Sequence, residues 1–320
     1  QAHRNLIETT NCPACDFNEY SLMFEATSAN QIDGSEFQCT NTHHAKHGQI
    51  VRCLGCGLIQ TNPQLPEDRL KTLYADVEDT VYLENAEARR KTFGYNLNRI
   101  LSHLPAHGEL LDVGCYCGLF LQTAREQLKL NLSGVEPSRW AVEYCRQQGL
   151  EVQQGVLKEL PPHRFDVITS WDVLEHVSDP LAELIEVNSR LNVGGTYAFS
   201  TLNVENWFPK LLGERWPWYM DMHLYYFTND LLAFLLRKSG FEVVETRPYC
   251  HIITGEYFLR KLASLGVPLV TRLQNTKVEQ LLKKLYLPFR FGDIQLIVAK
   301  KVREADVEHI DSLQKKLAAY

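Results

Sequence analysis

The stretch Leu110-Leu111-Asp112-Val113-Gly114-Cys115-Tyr116-Cys117-Gly118-Leu119-Phe120 is an apolar run, a glycine-bearing turn and a helix start in succession. Glu109 to Val113 has the length of a buried strand, and Leu119 to Leu128 carries helical periodicity. Glycines in such a turn let the main chain approach a ligand. The helix N-terminus behind them offers unpaired amides to an anionic group. The next apolar run, Leu132 to Glu136, ends in an acid 24 residues after Asp112, a place from which a carboxylate can hold both hydroxyls of a ribose.

The alternation continues toward the C-terminus. Pro137 to Gln148 reads as a helix stopped by Gly149, and Glu151 to Gln154 and Phe165 to Ser170 as the third and fourth strands. Ser178-Asp179-Pro180 starts a helix lined by Leu181, Leu184, Ile185 and Leu191, with Gly194-Gly195 as its stop. Thr196 to Thr201 is a fifth strand, Asn229 to Ser239 a helix, and Phe241 to Pro248 and Ile294 to Lys300 the last strands, the final one with room to run antiparallel. The pattern predicts an α/β fold, a doubly wound and mostly parallel sheet. Two inserts stand outside it. Residues 203–228 read as an aromatic loop, and residues 251–290 look helical, with Arg260, Lys261, Lys283, Lys284 and Arg290 as a solvated basic face. Residues 67–104 read as a helical linker before a main domain at 105–301, and residues 302–320 as a short surface helix.

Composition narrows the function classes. The 320 residues carry a net charge of −6, which argues against a general nucleic-acid binder, and 45% hydrophobic with 22% charged residues excludes whole-chain disorder. The longest apolar runs are too short to span a bilayer, and no secretory signal is recognisable. Nine cysteines, an odd number, fit a reducing compartment, so a cytoplasmic location is expected, and a homo-oligomer is compatible with the chain.

Four of the cysteines are paired by spacing. Cys12-Pro13-Ala14-Cys15 and Cys53-Leu54-Gly55-Cys56-Gly57 each let two sulfurs point at one ion, and together they supply a closed tetrahedral set suited to structural zinc. Such a set leaves no open coordination position, so its expected role is folding. Residues 1–66 therefore read as a small zinc-ribbon-like module. Its 37 residues between Cys15 and Cys53 predict a hairpin with an inserted loop; Cys39, His43, His44 and His47 in that loop read first as polar loop residues, with alternate ligands or a second site as the minor reading.

The ordered motifs Asp112-x-Gly114-Cys115-x-x-Gly118, Gly134-x-Glu136-Pro137-Ser138, Phe165-Asp166-Val167-Ile168, Asp172-Val173-Leu174-Glu175-His176-Val177 and Asn192-x-Gly194-Gly195 resemble those of class I S-adenosylmethionine-dependent methyltransferases, over about residues 105–301. The resemblance implies a seven-stranded Rossmann-like sheet with the cofactor across the carboxyl ends of its first strands. It implies that Asp112, Gly114, Cys115, Tyr116 and Gly118 meet the methionyl part, that Glu136, followed by Pro137, binds the ribose, that Val156 and Leu157 flank adenine, and that Ser170 and Trp171 sit beside the cofactor. Tyr116 stands where the usual turn has its middle glycine, and Val156 where an acid is often found. Cys53-x-x-Cys56-Gly57-Leu58-Ile59 followed by Asn62-Pro63 resembles the zinc-binding region that precedes some bacterial methyltransferases, which often act on nucleotide-linked sugars or other small metabolites.

Methyl transfer needs a base only where the acceptor loses a proton. His223, in Tyr219-Met220-Asp221-Met222-His223, is the first candidate because its ordinary pKa lies near neutrality. His176 is the second, and Tyr219 a residue that binds substrate or polarises a carbonyl. The expectation is an O-methyltransferase acting on a small molecule or a nucleotide-linked sugar, with S-adenosylmethionine as cofactor and Zn2+ as structural ion. The alternatives are carbon methylation of a nucleotide-linked keto-sugar, weakened by Met222 beside His223, and a non-catalytic binding module.

Overall fold

The computed structural model describes residues 11–28, 34–40, 45–264 and 282–306. At its centre is a seven-stranded sheet of order β10-β13-β8-β7-β4-β5-β6, formed by β4 (Glu109–Val113), β5 (Asn131–Glu136), β6 (Glu151–Gln154), β7 (Phe165–Trp171), β8 (Leu191–Leu202), β10 (Phe241–Pro248) and β13 (Ile294–Lys301). Strands β4 to β8 are parallel, and β13 is antiparallel to both neighbours. Successive side chains leave a strand on opposite faces. Accordingly Leu111, Ile168, Phe199 and Ile297 enter one apolar cluster, and Leu110, Val167, Ala198 and Leu296 enter another. Both faces are thus buried, as a parallel sheet requires.

The crossover helices begin where the sequence supplies caps. Ser138 accepts from the Ala141 amide at the start of α5 (Arg139–Gln147). Asp179 accepts from the Leu181 and Ala182 amides, with Pro180 in the first turn of α6 (Pro180–Ser189). Thr228 caps α8 (Asn229–Lys238), and α4 (Leu119–Gln127) starts directly from the turn after β4. Before the sheet, α1 (Glu67–Ala75), α2 (Thr80–Glu84) and α3 (Ala86–Ile100) form the helical segment.

The cysteine-rich segment folds as β1 (Tyr20–Phe24), β2 (Ile50–Cys53) and β3 (Ile59–Thr61). These strands are extended by β9 (Tyr225–Tyr226) into one four-stranded antiparallel sheet, β1-β2-β3-β9. Its apolar residues join both large clusters: Cys12, Ala14, Cys15 and Leu58 pack with Leu181 and Leu235, and Ile50 and Ile59 with Leu110 and Phe120.

Three expectations are corrected. The helix α6 stops at Ser189, and Leu191 opens β8 instead of lining the helix, because the Phe165–Leu191 pairing starts the ladder early and an irregularity absorbs Gly194-Gly195. Residues 203–228 are not simply loop: they hold α7 (Trp207–Leu212) and β9. Within residues 251–290 the described part holds a helix, α9 (Gly255–Ser264), but not at either end. Their described ends are β11 (His251–Thr254) and β12 (Tyr286–Phe289), which pair antiparallel, so two hydrophobic ends that read as helix instead complete each other as a ladder. The expected surface helix lies outside the described residues from residue 307 onward.

The aromatic insert is anchored to the sheet by one carboxylate. The indole N–H groups of Trp216 and Trp218 both donate to Asp293 Oδ2, at 3.1 and 3.0 Å, next to β13. Removing that acceptor takes a hydrogen bond from both indoles, one of them on the fully buried Trp216. Asp293→Ala is expected to lower unfolding stability by about 2–4 kcal/mol in urea titration, and Asp293→Asn, which keeps an acceptor oxygen, to recover most of it.

Candidate functional site

The carboxyl ends of β4, β5 and β7 converge, because Asp112 pairs with both Gly134 and Thr169. The turn after β4 is built from left-handed residues: Gly114 at φ +67°, Tyr116 at +46° and Gly118 at +65°. Gly118 has no room for a side chain, since an added Cβ would come within 2.4 Å of Leu150. Tyr116 takes a conformation that costs a side-chain residue about 1–2 kcal/mol. Its ring is seated edge-on to Tyr82 at 4.6 Å and beside Trp140 at 6.1 Å. The side chain therefore lies against α2 and α5, and the turn keeps its shape without the usual glycine.

Glu136 closes the turn. Its two carboxylate oxygens accept from the Tyr116 and Ser138 amides, each at 2.8 Å. Burial nevertheless pushes its pKa up to about 7, with the two amides opposing. Each oxygen keeps lone-pair capacity for a further donor, which fits a vicinal diol. Asp112 faces inward: its Oδ1 accepts from the Thr169 hydroxyl at 2.6 Å, and burial raises its pKa to about 8. Cys115 is buried behind the turn, and Pro137 leads into the Ser138 cap. Val156 has its amide bonded to the Glu159 carboxylate at 3.1 Å, with Leu157 buried beside it. Ser170 turns to the opposite face and shares a 2.8 Å hydrogen bond with the Tyr197 hydroxyl, while Trp171 packs on Phe120 at 4.8 Å.

His176 and His223 meet, their ring centroids 4.7 Å apart and edge to face. The Nδ1–H of His223 donates to the Trp218 carbonyl at 2.7 Å. The Nδ1–H of His176 is shared between the Met222 carbonyl and the Tyr74 hydroxyl oxygen, both at 2.9 Å. In both rings Nε2 is then the lone-pair nitrogen. Desolvation lowers the pKa of His223 to about 4 and of His176 to about 3, so both are neutral at pH 7. Glu175 brings a carboxylate oxygen within 4.8 Å of donor atoms on both histidines. That carboxyl accepts from Thr201 at 2.9 Å, and burial holds its pKa well above the ordinary range. Burial thus disfavours the charged form of this acid, which is anchored on β8 through Thr201.

Tyr219 does not join the pair. It packs in a ring cluster with Phe24, His47, Trp216 and Tyr226, at 4.9–5.7 Å. Burial raises its phenol to about 12. His47 is fully buried in the same cluster, away from the cysteines, and His43 and His44 lie outside the described residues.

Cys12, Cys15, Cys53 and Cys56 converge, with all four sulfurs within 4.8 Å of one another. Cys12 lies 3.6 Å from Cys56, and Cys15 3.6 Å from Cys53. The edge of a tetrahedron with Zn–S near 2.3 Å is about 3.8 Å, so the donor set fits zinc. Hydrogen bonding drives the Cys53 thiol far down, chiefly through Cys12, and the Cys12 thiol far up, chiefly through Cys15. A cation is what allows all four to be thiolates together. Cys39 stays outside this cluster.

Two residues of the site, Tyr74 on α1 and Thr61 on β3, carry no local signal in the sequence. Asp172 and Glu175 lie in the motif after β7, where neither has a role of its own assigned from the sequence. Asp172 stands at φ +54° and is bonded through its amide and carboxylate to Ser200.

The chain is similar in sequence to several proteins and in structure to others. A ubiquinone biosynthesis O-methyltransferase of Cereibacter sphaeroides is 31% identical over 160 residues, 45% of this chain and 64% of that protein. One of Ralstonia nicotianae is 28% identical over 194 residues, 55% of this chain and 81% of that protein. One of Methylococcus capsulatus is 34% identical over 102 residues, 29% of this chain and 43% of that protein. The chain thus spans less than two thirds of the first relatives it matches. Among solved structures, a SAM-dependent methyltransferase of Archaeoglobus fulgidus is similar at TM-score 0.47 and 21% identity, over 70% of this chain and 100% of that one. One of Thermotoga maritima is similar at 0.46 and 20%, over 68% and 90%. Residues 85–246, half of the chain, match the family described as a methyltransferase domain, and to that family this chain belongs.

Proposed function

We propose that this protein transfers a methyl group from S-adenosylmethionine to an oxygen of a small molecule, the acceptor being a nucleotide-linked sugar or a similar metabolite, and that a structural zinc ion is held by its four N-terminal cysteines. The observation that carries the reading is Glu136, whose carboxylate closes on the Tyr116 amide at the mouth of the β4 turn. When bound, the cofactor supplies an activated methyl carbon, so the chain's task is alignment and exclusion of water. Glu136 accepts the ribose hydroxyls, and the turn from Gly114 to Gly118 holds the methionyl end. His223, neutral and with Nε2 bare, takes the acceptor hydroxyl's proton, and His176 packs against its ring. The name of the matched relatives, O-methyltransferase, supports oxygen as the methylated atom. Cys12, Cys15, Cys53 and Cys56 hold the ion in a closed set that stabilises the module and supplies no chemistry.

The cofactor reading has a pH signature. The Glu136 pKa in the free protein is raised to about 7, and the ribose hydroxyls select the carboxylate. Affinity for S-adenosylhomocysteine, measured by calorimetry, is expected to rise about tenfold from pH 6 to pH 8 and to level off above. Glu136→Gln is expected to bind more weakly and to lose the pH dependence. A wild-type affinity independent of pH would remove Glu136 from the ribose.

The base reading also has a sign. A base with pKa about 4 is already neutral at pH 5, so turnover should show no histidine limb between pH 5 and 8. With an acceptor found by screening nucleotide-linked sugars, His223→Asn is expected to cut kcat about 100-fold or more while leaving cofactor affinity within twofold. Metal analysis of protein purified without chelator is expected to find about one zinc per chain, and Cys53→Ser to lose it. Protein without metal would end the zinc assignment.

A further inference from the structure

We propose that Thr61, on the third strand of the cysteine-rich module, is a positioning residue for His223, which makes that module a working wall of the acceptor site. The inference rests on the reading of His223 as the base. Thr61 spends both of its donors on the segment that carries His223. Its hydroxyl donates to the His223 carbonyl at 3.0 Å, and its amide donates to the Leu224 carbonyl at 2.9 Å. The two bonds grip consecutive peptide units, so they fix both the position and the tilt of the chain at His223.

The surroundings give the Thr61 side chain little choice. It is 5% exposed, and its methyl sits where an added Cβ on Gly48 would approach to 3.0 Å. The neighbouring Asn62 amide is held by the Gln49 carbonyl at 2.9 Å. The strand therefore arrives at His223 already fixed by the module's own ladder. Directly beyond, Ile59 pairs with Tyr226 and Gln60 with Tyr225. From the opposite side the Leu224 and Tyr225 amides donate to the Glu175 carbonyl, at 2.8 and 3.2 Å, next to His176 in the chain. The Tyr226 hydroxyl adds a 3.3 Å bond to the same His223 carbonyl.

His223 is thus clamped between β3 and the segment that bears the other histidine. The ring depends on this clamp. Its Nδ1–H reaches back over five residues to the Trp218 carbonyl, a bond that tolerates little displacement of the main chain. The groups facing the ring are His176 at 4.7 Å, Trp218 and Tyr226 each at 6.3 Å, and the Glu175 carboxyl. A main chain released by β3 would let water reach the imidazole, and both its tautomer and its titration would change.

The reading of the His223 ring needs no acceptor; only the turnover of His223→Asn uses the one found by screening. In full-length protein labelled with 15N-histidine, the His223 resonances are assigned by their loss in His223→Asn. Wild type is expected to show a single tautomer with Nδ1 protonated and a titration midpoint about 4. Thr61→Val removes the hydroxyl and keeps the shape; it is expected to mix the tautomers or raise the midpoint by one unit or more. Thr61→Ser is expected to restore the wild-type spectrum. Near-ultraviolet dichroism and S-adenosylhomocysteine affinity within twofold of wild type show that each variant is folded. An unchanged His223 in folded Thr61→Val, or a Thr61→Ser spectrum as displaced as that of Thr61→Val, overturns the proposal. If Thr61→Val does not fold, Gly48→Ala, which crowds the Thr61 methyl, is used instead. It is expected to move the same resonances, and their constancy overturns the proposal. Full turnover by His223→Asn removes the base reading, and the positioning role with it. A damaged His223→Asn with an undisturbed Thr61→Val removes the positioning role alone.

Discussion

Two backbone residues join the halves of this protein. Strand β9 is only Tyr225 and Tyr226, yet it covers the open edge of β3 and continues into the Asn203–Phe227 bridge at the end of β8. An uncovered strand edge is a row of unpaired donors and acceptors, and pairing is the cheapest way to satisfy it. Here the cover comes from the segment that carries His223. The module's sheet and the candidate site are consequently one hydrogen-bonded piece, and the apolar clusters on both sides of the central sheet run through both.

Burial is the common electrostatic cause in the site. It lowers the pKa of two histidines and raises that of three carboxyls, Asp112, Glu136 and Glu175. The two effects pull stability in opposite directions. The histidines add a penalty as pH falls from about 6.5 toward their folded values, because the unfolded chain takes up protons first. The raised acids favour the folded state at low pH and lose that advantage as pH rises toward 7 or 8. A ligand that brings hydroxyl donors or positive charge reverses the balance at the carboxyls, which ties their ionisation to occupancy.

Much of this was legible because it is local. The strand, turn and helix around Asp112 to Phe120 carry their own periodicity and their own glycines, and Glu136 follows at a spacing that the β-α-β geometry imposes. The four cysteines declare themselves by pairwise spacing. What was not legible depends on contacts distant in sequence. Thr61 meets His223 across 162 positions, and Tyr74 meets His176 across 102. No local pattern distinguishes either from an ordinary strand threonine or helix tyrosine. Leu191 reads as the last apolar residue of a helix face, and only its pairing with Phe165 makes it a strand residue. Tyr219 sits in the expected motif but points into a ring cluster completed by Phe24 and His47, residues whose proximity the motif does not encode.

The shared edge also sets limits on dissection. A cut after residue 66, the natural place to separate a small metal module from a larger enzyme, would strip β9 of its partner and uncover Leu181, Leu231 and Leu235, which now pack in the same cluster as Cys12, Cys15 and Leu58. The remaining fragment would present a free strand edge beside fresh apolar surface, the combination that favours self-association. For this chain, exchanging the module is therefore a redesign of the interface and not a swap of parts, because β3 and β9 share one edge.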